Sequence, residues 1–307
     1  MASQKWIVSN MPDLSGKTII VTGGNSGLGF EAVKAFVSKN ADVIIACRSL
    51  DRGEKAKKEI IRFFPNAQIT VMELDLSSIQ SIYSFAAKFK KNFVRLDVLL
   101  NNAGIMMVPY GMTLDGFEQQ LGTNHLGHFA LTGLLLEFLR KTPGSRVVNV
   151  SSLAHKQGKI DFANLLYVGG KGYTPLKAYG QSKLANLLFT YELQRYFEKN
   201  NIDCKALVAH PGVSDTNLFV HIAPKWVMKL IRPVFKRLTQ PASMGVLPEL
   251  RASVDPEAKG SDFFGPDGKY ETKGYPVLVR SNAASLDRES AAKLWEASEK
   301  LTGVIYN

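Results

Sequence analysis

A tyrosine and a lysine four residues apart, in Tyr179-Gly-Gln-Ser-Lys183, are the residues of this sequence whose types and spacing most suggest chemistry. On a helix, positions i and i+4 share a face, so an ammonium can lie near the phenol and favour its ionised form by opposite charge. A phenol tuned in this way passes a proton near neutral pH. The same spacing also arises as one turn of an ordinary amphipathic helix. Ser152 stands at the end of an apolar run, Arg146 to Val150, just before a loop. Its hydroxyl can donate to a substrate carbonyl and stabilise charge developing there, or it can satisfy the loop backbone. Ser151 beside it reads as the structural member of the pair.

A second stretch has the chemistry of an anion cradle. Thr18 to Val21 is a β-branched apolar run that breaks into glycines at Gly23, Gly24, Gly27 and Gly29. A helical pattern with Leu28, Ala32, Ala35 and Phe36 on one side follows, giving strand, tight turn and helix. Glycine lets a backbone come within hydrogen-bonding distance of a ligand, and a helix N-terminus offers unpaired N–H groups and a positive dipole end to phosphate. A pyrophosphate would sit there; an ordinary tight connection is the competing reading.

The elements that must position these groups alternate along the chain. Ala41–Ala46 reads as a second strand, Asp51–Phe64 as a helix, Gln68–Leu74 as a third strand ending at Asp75, and Ile79–Phe89 as a helix. Leu96–Leu100 is a fourth strand broken by Asn101-Asn102-Ala103-Gly104, and a long helix is expected over Phe117–Arg140. Arg146–Val150 is a fifth strand, Tyr179–Tyr196 a helix, and Cys204–Ala209 a sixth strand ending at His210-Pro211-Gly212. Strands alternating with long helices imply right-handed crossovers and a parallel sheet covered on both faces. The expected fold is therefore α/β, a single Rossmann-type doubly wound domain over 1–307, with residues 1–16 as an arm and about 213–245 as a substrate lid. The polar residues fall at carboxyl ends of strands, where open α/β sheets bind ligands.

With these motifs in order, the chain resembles the short-chain dehydrogenase/reductase family over nearly its whole length. Thr22-Gly23-Gly24-Asn25-Ser26-Gly27-Leu28-Gly29 matches that family's cofactor turn, Asn101 to Gly104 its sheet-stabilising motif, and Pro211-Gly212 its nicotinamide-side motif. Ser152, Tyr179 and Lys183 match its active site. The resemblance implies that Asn124, in Gly122-Thr123-Asn124-His125, is the fourth catalytic member, holding a helix irregularity open for a water that relays protons from Lys183. It further implies that Asp75 and Leu76 lie near the adenine, and that Asn102, Ala103, Gly104, Val213 and Thr216 line the cofactor. Within the family, Ala46-Cys47-Arg48, Gly122 to Phe129, Val150 to His155 and Ser182 to Asn186 resemble the retinol dehydrogenase and protochlorophyllide reductase-like branch. Light-dependent protochlorophyllide reductases carry a cysteine where this chain has Ala185, so that photochemistry is not expected.

Cofactor choice follows from the end of the second strand. A carboxylate there accepts from the ribose hydroxyls of NAD, whereas a guanidinium pairs with the 2′-phosphate of NADP. This chain has Arg48 and no carboxylate at that point, so NADP(H) is expected over NAD(H). Met106, Met107, Val108, Pro109, Leu153 and His155 follow the reactive strand ends, and Phe219–Leu238 reads as an amphipathic lid broken at Pro233. These suggest a small hydrophobic carbonyl or alcohol substrate. A non-catalytic NADP(H)-binding sensor or scaffold of the same fold is the alternative, though such proteins typically lack a catalytic residue and none is missing here.

The net charge of +11 reads as solvated outer helix faces, and no nucleic-acid partner is expected. His125, His128, His155 and His210 have no carboxylate or cysteine at ligand spacing, so no metal is expected. Cys47 and Cys204 fall in apolar runs and read as buried thiols. No stretch has the length of a membrane span and Met1 to Ser15 has no apolar leader core, which points to a cytoplasmic protein with at most peripheral membrane contact through the lid. Homodimer and monomer both remain open.

Overall fold

Strand β1, Thr18–Thr22, is buried along its whole length and carries no charge. Such a run is stable only with both faces covered. In the computed structural model, which describes residues 5–214 and 239–307, β1 lies inside an eight-stranded sheet. The other strands are β2 (Asp42–Cys47), β3 (Ile69–Glu73), β4 (Val98–Asn101), β5 (Ser145–Val150), β6 (Cys204–Ala209), β7 (Phe263–Pro266) and β8 (Pro276–Leu278). Their order is β3-β2-β1-β4-β5-β6-β7-β8, parallel throughout except for antiparallel β8. The order reverses between β1 and β4, and the crevice above such a reversal is where doubly wound sheets take their ligands.

Alternation along each strand sends residues to opposite faces. Ile19, Val21, Val148 and Leu207 pack with Val33 and Phe36 of α1 (Gly27–Val37). Ile20, Leu99, Val147 and Ala206 pack on the other face with Phe85 and Phe89 of α3 (Ile79–Asn92). Helix α2 (Leu50–Phe63) is capped by the Ser49 side chain and α3 by that of Ser78, each accepting from a backbone N–H of the first turn.

The long helix expected over Phe117–Arg140 is instead broken into α4 (Gln119–Leu121), a π-helical turn (Gly122–Leu126), α5 (Gly127–Leu134) and α6 (Leu136–Lys141). Periodicity of apolar residues does not register a change of helix type, and the cause is polar: the Asn124 side chain is drawn sideways into bonds described below. Helix α7 runs longer than expected, from Pro175 to Lys199, with the Thr174 side chain as its cap and proline in the first turn, where its missing N–H costs nothing. Gly265 and Pro266 belong to β7 and pair with β8.

After the short α8 (Ala242–Gly245), helix α9 (Leu247–Val254) covers the α1 face. The last helix, α10 (Arg288–Thr302), lies against α7, with Trp295 and Tyr306 meeting the rings of Phe129 and Phe189. Cys47 and Cys204 are free and buried. No helix among the described residues is long and apolar enough to cross a membrane. Thr216 and the lid candidate Phe219–Leu238 lie outside the described residues. Phe129 is fully buried among three aromatic neighbours, and Phe129→Ala is expected to lower unfolding free energy by about 3–5 kcal/mol in a urea titration.

Candidate active site

Register brings the motif residues to one edge of the sheet. Thr22 is paired with Ala46, Asn101 with Asn149, and Val150 with Ala209, so the carboxyl ends of β1, β2, β4, β5 and β6 open together. Asn101 and Asn149 lock that register from inside. Asn101 donates to Thr132 Oγ1 at 3.2 Å and to Asn149 Oδ1 at 2.9 Å, and Asn149 donates to Thr190 Oγ1 at 2.9 Å, tying α5 to α7 through the sheet.

The glycine turn has the shape of a cradle. Gly23 takes a φ of +67°, and a Cβ on Gly29 would lie 2.4 Å from the Gly23 carbonyl oxygen. Ser26 is the N-cap of α1 yet its hydroxyl makes no capping bond, so the first N–H groups of the helix face outward beside half-buried Asn25 and buried Leu28. Asn102 closes the side of the turn, donating to the Thr22 carbonyl at 2.6 Å, while the Ala103 N–H donates to Thr22 Oγ1 at 2.9 Å. Arg48, at the end of β2, is exposed and has no partner among the described residues. Asp75 accepts from Ser77, and Leu76 is buried against Gly127. These residues fit a dinucleotide: outward N–H donors for a pyrophosphate, an open guanidinium for a further phosphate, and close backbone approach between them.

On the other side of the edge, Lys183 is 4% exposed and its Nζ donates to the Val150 carbonyl at 2.9 Å. Its ammonium lies 5.7 Å from the centroid of the Tyr179 ring. Ser152 favours the ionised form of Tyr179, and its Oγ caps the short 3-10 helix Leu153–Gln157 by accepting from Ala154 N–H. Ser151 is structural, its hydroxyl donating to the Lys183 carbonyl at 2.9 Å. Asn124 is fully buried and pairs with the Ile105 backbone in both directions, accepting from its N–H at 2.8 Å and donating to its carbonyl at 2.9 Å. It also donates to Ser182 Oγ at 3.0 Å. A Cβ on Gly104 would lie 3.1 Å from Asn124 Oδ1 and 3.6 Å from Lys183 Nζ, so the three meet at one point.

The electrostatics differ from the expectation that Lys183 draws the phenol down. Burial dominates and pushes Tyr179 up to about 12 against the opposing Ser152 hydrogen bond. Burial also pushes Lys183 down to about 8, against the pull of the Glu249 carboxylate. The ammonium is spent on Val150 rather than on the phenol, and desolvation outweighs attraction at that separation.

Three residues of this site escape a reading of the sequence. Asn124 without the family resemblance reads as a solvent-facing helix residue. His128 reads as packing, yet it joins the two halves: its Nδ1 meets the Asn124 carbonyl at 3.1 Å and its Nε2 meets Thr22 Oγ1 at 2.9 Å. A carbonyl only accepts, so Nδ1 carries the proton and Nε2 accepts from threonine. Burial holds this ring neutral, near a pKa of 4. Glu249, in α9, is fully buried, neither of its carboxyl oxygens is hydrogen-bonded among the described residues, and burial pushes it up to about 8 against the attraction of Lys183. A glutamate amid Leu247, Pro248 and Leu250 was the available signal. Among the described residues no three potential ligands cluster for a metal.

A doubly wound sheet with an anion cradle at the switch point and a buried Tyr–Lys pair beside it defines a dinucleotide-dependent oxidoreductase. Comparison with known proteins narrows the class. The family model for short chain dehydrogenases matches residues 17–225. Mouse retinol dehydrogenase 12 is 40% identical over 294 residues, covering 95% of this chain and 88% of that protein. The chloroplastic short-chain dehydrogenase TIC 32 B of Brassica napus is 37% identical over 300 residues, covering 96% and 91%. An uncharacterised protein of Mycobacterium paratuberculosis, of solved structure, superposes with a TM-score of 0.82 at 39% identity, covering 99% of this chain and all of that one. The chain belongs to the short-chain dehydrogenase/reductase family, in its retinol dehydrogenase-like branch, and is a nicotinamide-dependent oxidoreductase.

Glu249 generates a stability prediction. Its folded pKa lies above its unfolded value of 4.5, so the stability associated with it is full below pH 4.5 and is lost as pH rises toward 8. Glu249→Gln cannot ionise and escapes that loss. Relative to the unsubstituted protein, the variant is expected to gain at least about 1.4 kcal/mol, the equivalent of one pKa unit, between pH 5 and pH 8, read from denaturant midpoints at the two values.

Proposed function

We propose that this protein is an NADP(H)-dependent reductase or dehydrogenase acting on an apolar aldehyde, ketone or the matching alcohol. The observation that supports it most is the meeting of Ser152, Tyr179, Lys183 and Asn124 beside an anion cradle whose far end carries an unpaired arginine. When bound, NADP(H) supplies or receives the hydride. The α1 N-terminus, with Thr22, Gly23, Asn25, Ser26, Gly27, Leu28 and Gly29, holds the pyrophosphate, and Arg48 pairs with the 2′-phosphate. Asp75 and Leu76 border the adenine. Asn102, Ala103, Gly104, Pro211, Gly212 and Val213 line the nicotinamide side, together with Thr216, which lies outside the described residues.

At the reacting carbon, the Ser152 hydroxyl donates to the carbonyl oxygen and steadies the charge that develops there. Tyr179 passes the proton. With its pKa raised to about 12 by burial, Tyr179 carries its proton at neutral pH and so begins carbonyl reduction protonated. In the opposite direction the Lys183 ammonium, one helical turn away, favours the phenolate. Asn124 fixes the backbone after β4 against α7 and so keeps Lys183 and Tyr179 in register. Met106, Met107 and Val108, half-buried after β4, and Leu153 beside Ser152 give the substrate side an apolar lining. That lining, with the likeness to retinol dehydrogenases, makes a long apolar aldehyde such as retinaldehyde a fitting substrate class.

The test is NADPH consumption by purified protein against a panel of apolar aldehydes and ketones, retinaldehyde included, beside NADH. Tyr179→Phe is expected to lower kcat by about 10²–10⁴-fold while NADPH still binds in a fluorescence titration; full activity in this variant would overturn the assignment. Arg48→Glu is expected to weaken NADPH at least tenfold and leave NADH nearly unaffected, whereas equal loss of both would remove the argument for NADP.

A further inference from the structure

Ser152 and Pro211-Gly212 come from different strand ends, β5 and β6, and among the described residues no backbone hydrogen bond joins the loops that follow them. Both are instead tied to the segment Lys269–Thr272, which lies between β7 and β8. The Glu271 carboxylate divides its two oxygens between the loops. Oε1 accepts from Lys156 Nζ at 3.0 Å, and Lys156 belongs to the 3-10 helix whose N-cap is Ser152. Oε2 accepts from His210 Nε2 at 2.9 Å, and His210 immediately precedes Pro211.

The imidazoles on each side are fixed in turn. His210 Nδ1 accepts from the Gly212 N–H at 3.2 Å, which places its proton on Nε2, the atom facing Glu271. His155 Nδ1 donates to the Ser152 carbonyl at 2.6 Å. The Phe263 ring lies between the two histidines, with centroids 5.7 Å and 5.2 Å away. A Cβ at Gly265 would lie 2.1 Å from His210 Nε2, so only glycine at that strand position lets the ring reach across β7 to the carboxylate.

The backbone is strained to make the connection. Tyr270 and Glu271 both have φ of 57°, a left-handed conformation that side chains with a Cβ rarely adopt and that persists only where the surroundings over-determine it. Tyr270 is 77% exposed, so its own burial does not hold the segment there. The segment's ties to the two loops are the two Glu271 contacts and the Thr272 carbonyl, which accepts from Val213 N–H at 2.7 Å. The hydrogen bond from His210 lowers the Glu271 carboxyl to about 2, so it is charged at neutral pH.

We propose that Glu271 is a positioning residue that clamps the loop carrying Ser152 to the Pro211-Gly212 turn, fixing the distance between the group that orients the substrate oxygen and the nicotinamide side of the site. The inference rests on the reaction proposed above. It requires no contact between Glu271 and either ligand: the carboxylate acts through Lys156 on one loop and through His210 on the other. Small displacements of a reacting pair cost rate steeply, so the clamp belongs to turnover more than to binding.

The test is hydrogen exchange by mass spectrometry on the full chain, with steady-state kinetics on the same samples. Glu271→Gln is expected to speed exchange at both 152–158 and 210–214, and Lys156→Met at 152–158 alone. With the best carbonyl of the panel, Glu271→Gln lowers kcat at least tenfold with less than a threefold change in KM and in NADPH affinity, and Glu271→Asp restores part of the loss. Unchanged exchange at either segment in Glu271→Gln overturns the proposal, and so does faster exchange with unchanged kcat, which would leave only a structural tie. If Glu271→Gln fails to fold, Lys156→Met decides: it must slow kcat without changing KM. Absence of turnover in the unsubstituted protein would overturn the proposed reaction instead, and the exchange pattern would then decide the clamp by itself.

Discussion

A charged ammonium buried at the carboxyl edge of the sheet sets the terms for everything around it. Lys183 is 4% exposed, and among the described residues its ammonium holds one hydrogen bond, to the Val150 carbonyl. Burying a charge with so few partners is costly, and the structure meets the cost by position. Val150 can offer its carbonyl because it is the last residue of β5, where the ladder to β6 ends. The neighbouring Asn186 side chain donates to the same oxygen at 3.1 Å, sharpening its direction. Helix α7 must therefore cross at one height over the sheet, and the Asn101–Asn149–Thr190 chain of hydrogen bonds fixes that height.

The same requirement accounts for the break in the helix before it. Asn124 has to reach Ile105 and Ser182 at once, and an uninterrupted α-helix over Phe117–Arg140 would present it to one side only. A π-helical turn widens the helix by one residue at that point and supplies the reach, as such turns often do at functional sites. His128, one turn on, carries the constraint across to Thr22 at the cradle. The two halves of the site, anion cradle and Tyr–Lys pair, are thus one hydrogen-bonded body.

The strands, their order of appearance and the helices between them were legible because each is a matter of periodicity and glycine placement, which lie in the local sequence. β1, β2 and β4 to β6 fall within a residue or two of where apolar runs place them. Tyr179 and Lys183 stood out as candidates by spacing and the glycine turn by composition, and the family resemblance supplied the roles expected of them. What stayed hidden depends on partners distant in sequence. The π turn is set by Ile105 and Ser182, the role of His128 by Thr22, the burial of Glu249 by the packing of α9 on the sheet, and the extent of β7 by β8. No window of sequence around any of these holds the group that explains it. The sign of the Tyr179 shift was misjudged for the same reason: spacing along a helix reports proximity of charge but not dryness.

Dryness inverts the usual order of the two groups. In water a phenol and an ammonium have nearly equal pKa values, and a favourable pair would leave the phenol as the one that titrates first. Here burial moves Tyr179 up to about 12 and Lys183 down to about 8, because it disfavours whichever form carries charge. Lys183 then becomes the group nearest neutrality, and Glu249 of α9, also pushed to about 8, acts on it through charge and not through contact. Each favours the charged form of the other, against a larger desolvation that disfavours both. A buried carboxylate without a hydrogen bond is a stability cost that sites of chemistry tend to tolerate. In this fold that cost favours the charge on Lys183, whose ammonium lies 5.7 Å from the Tyr179 ring.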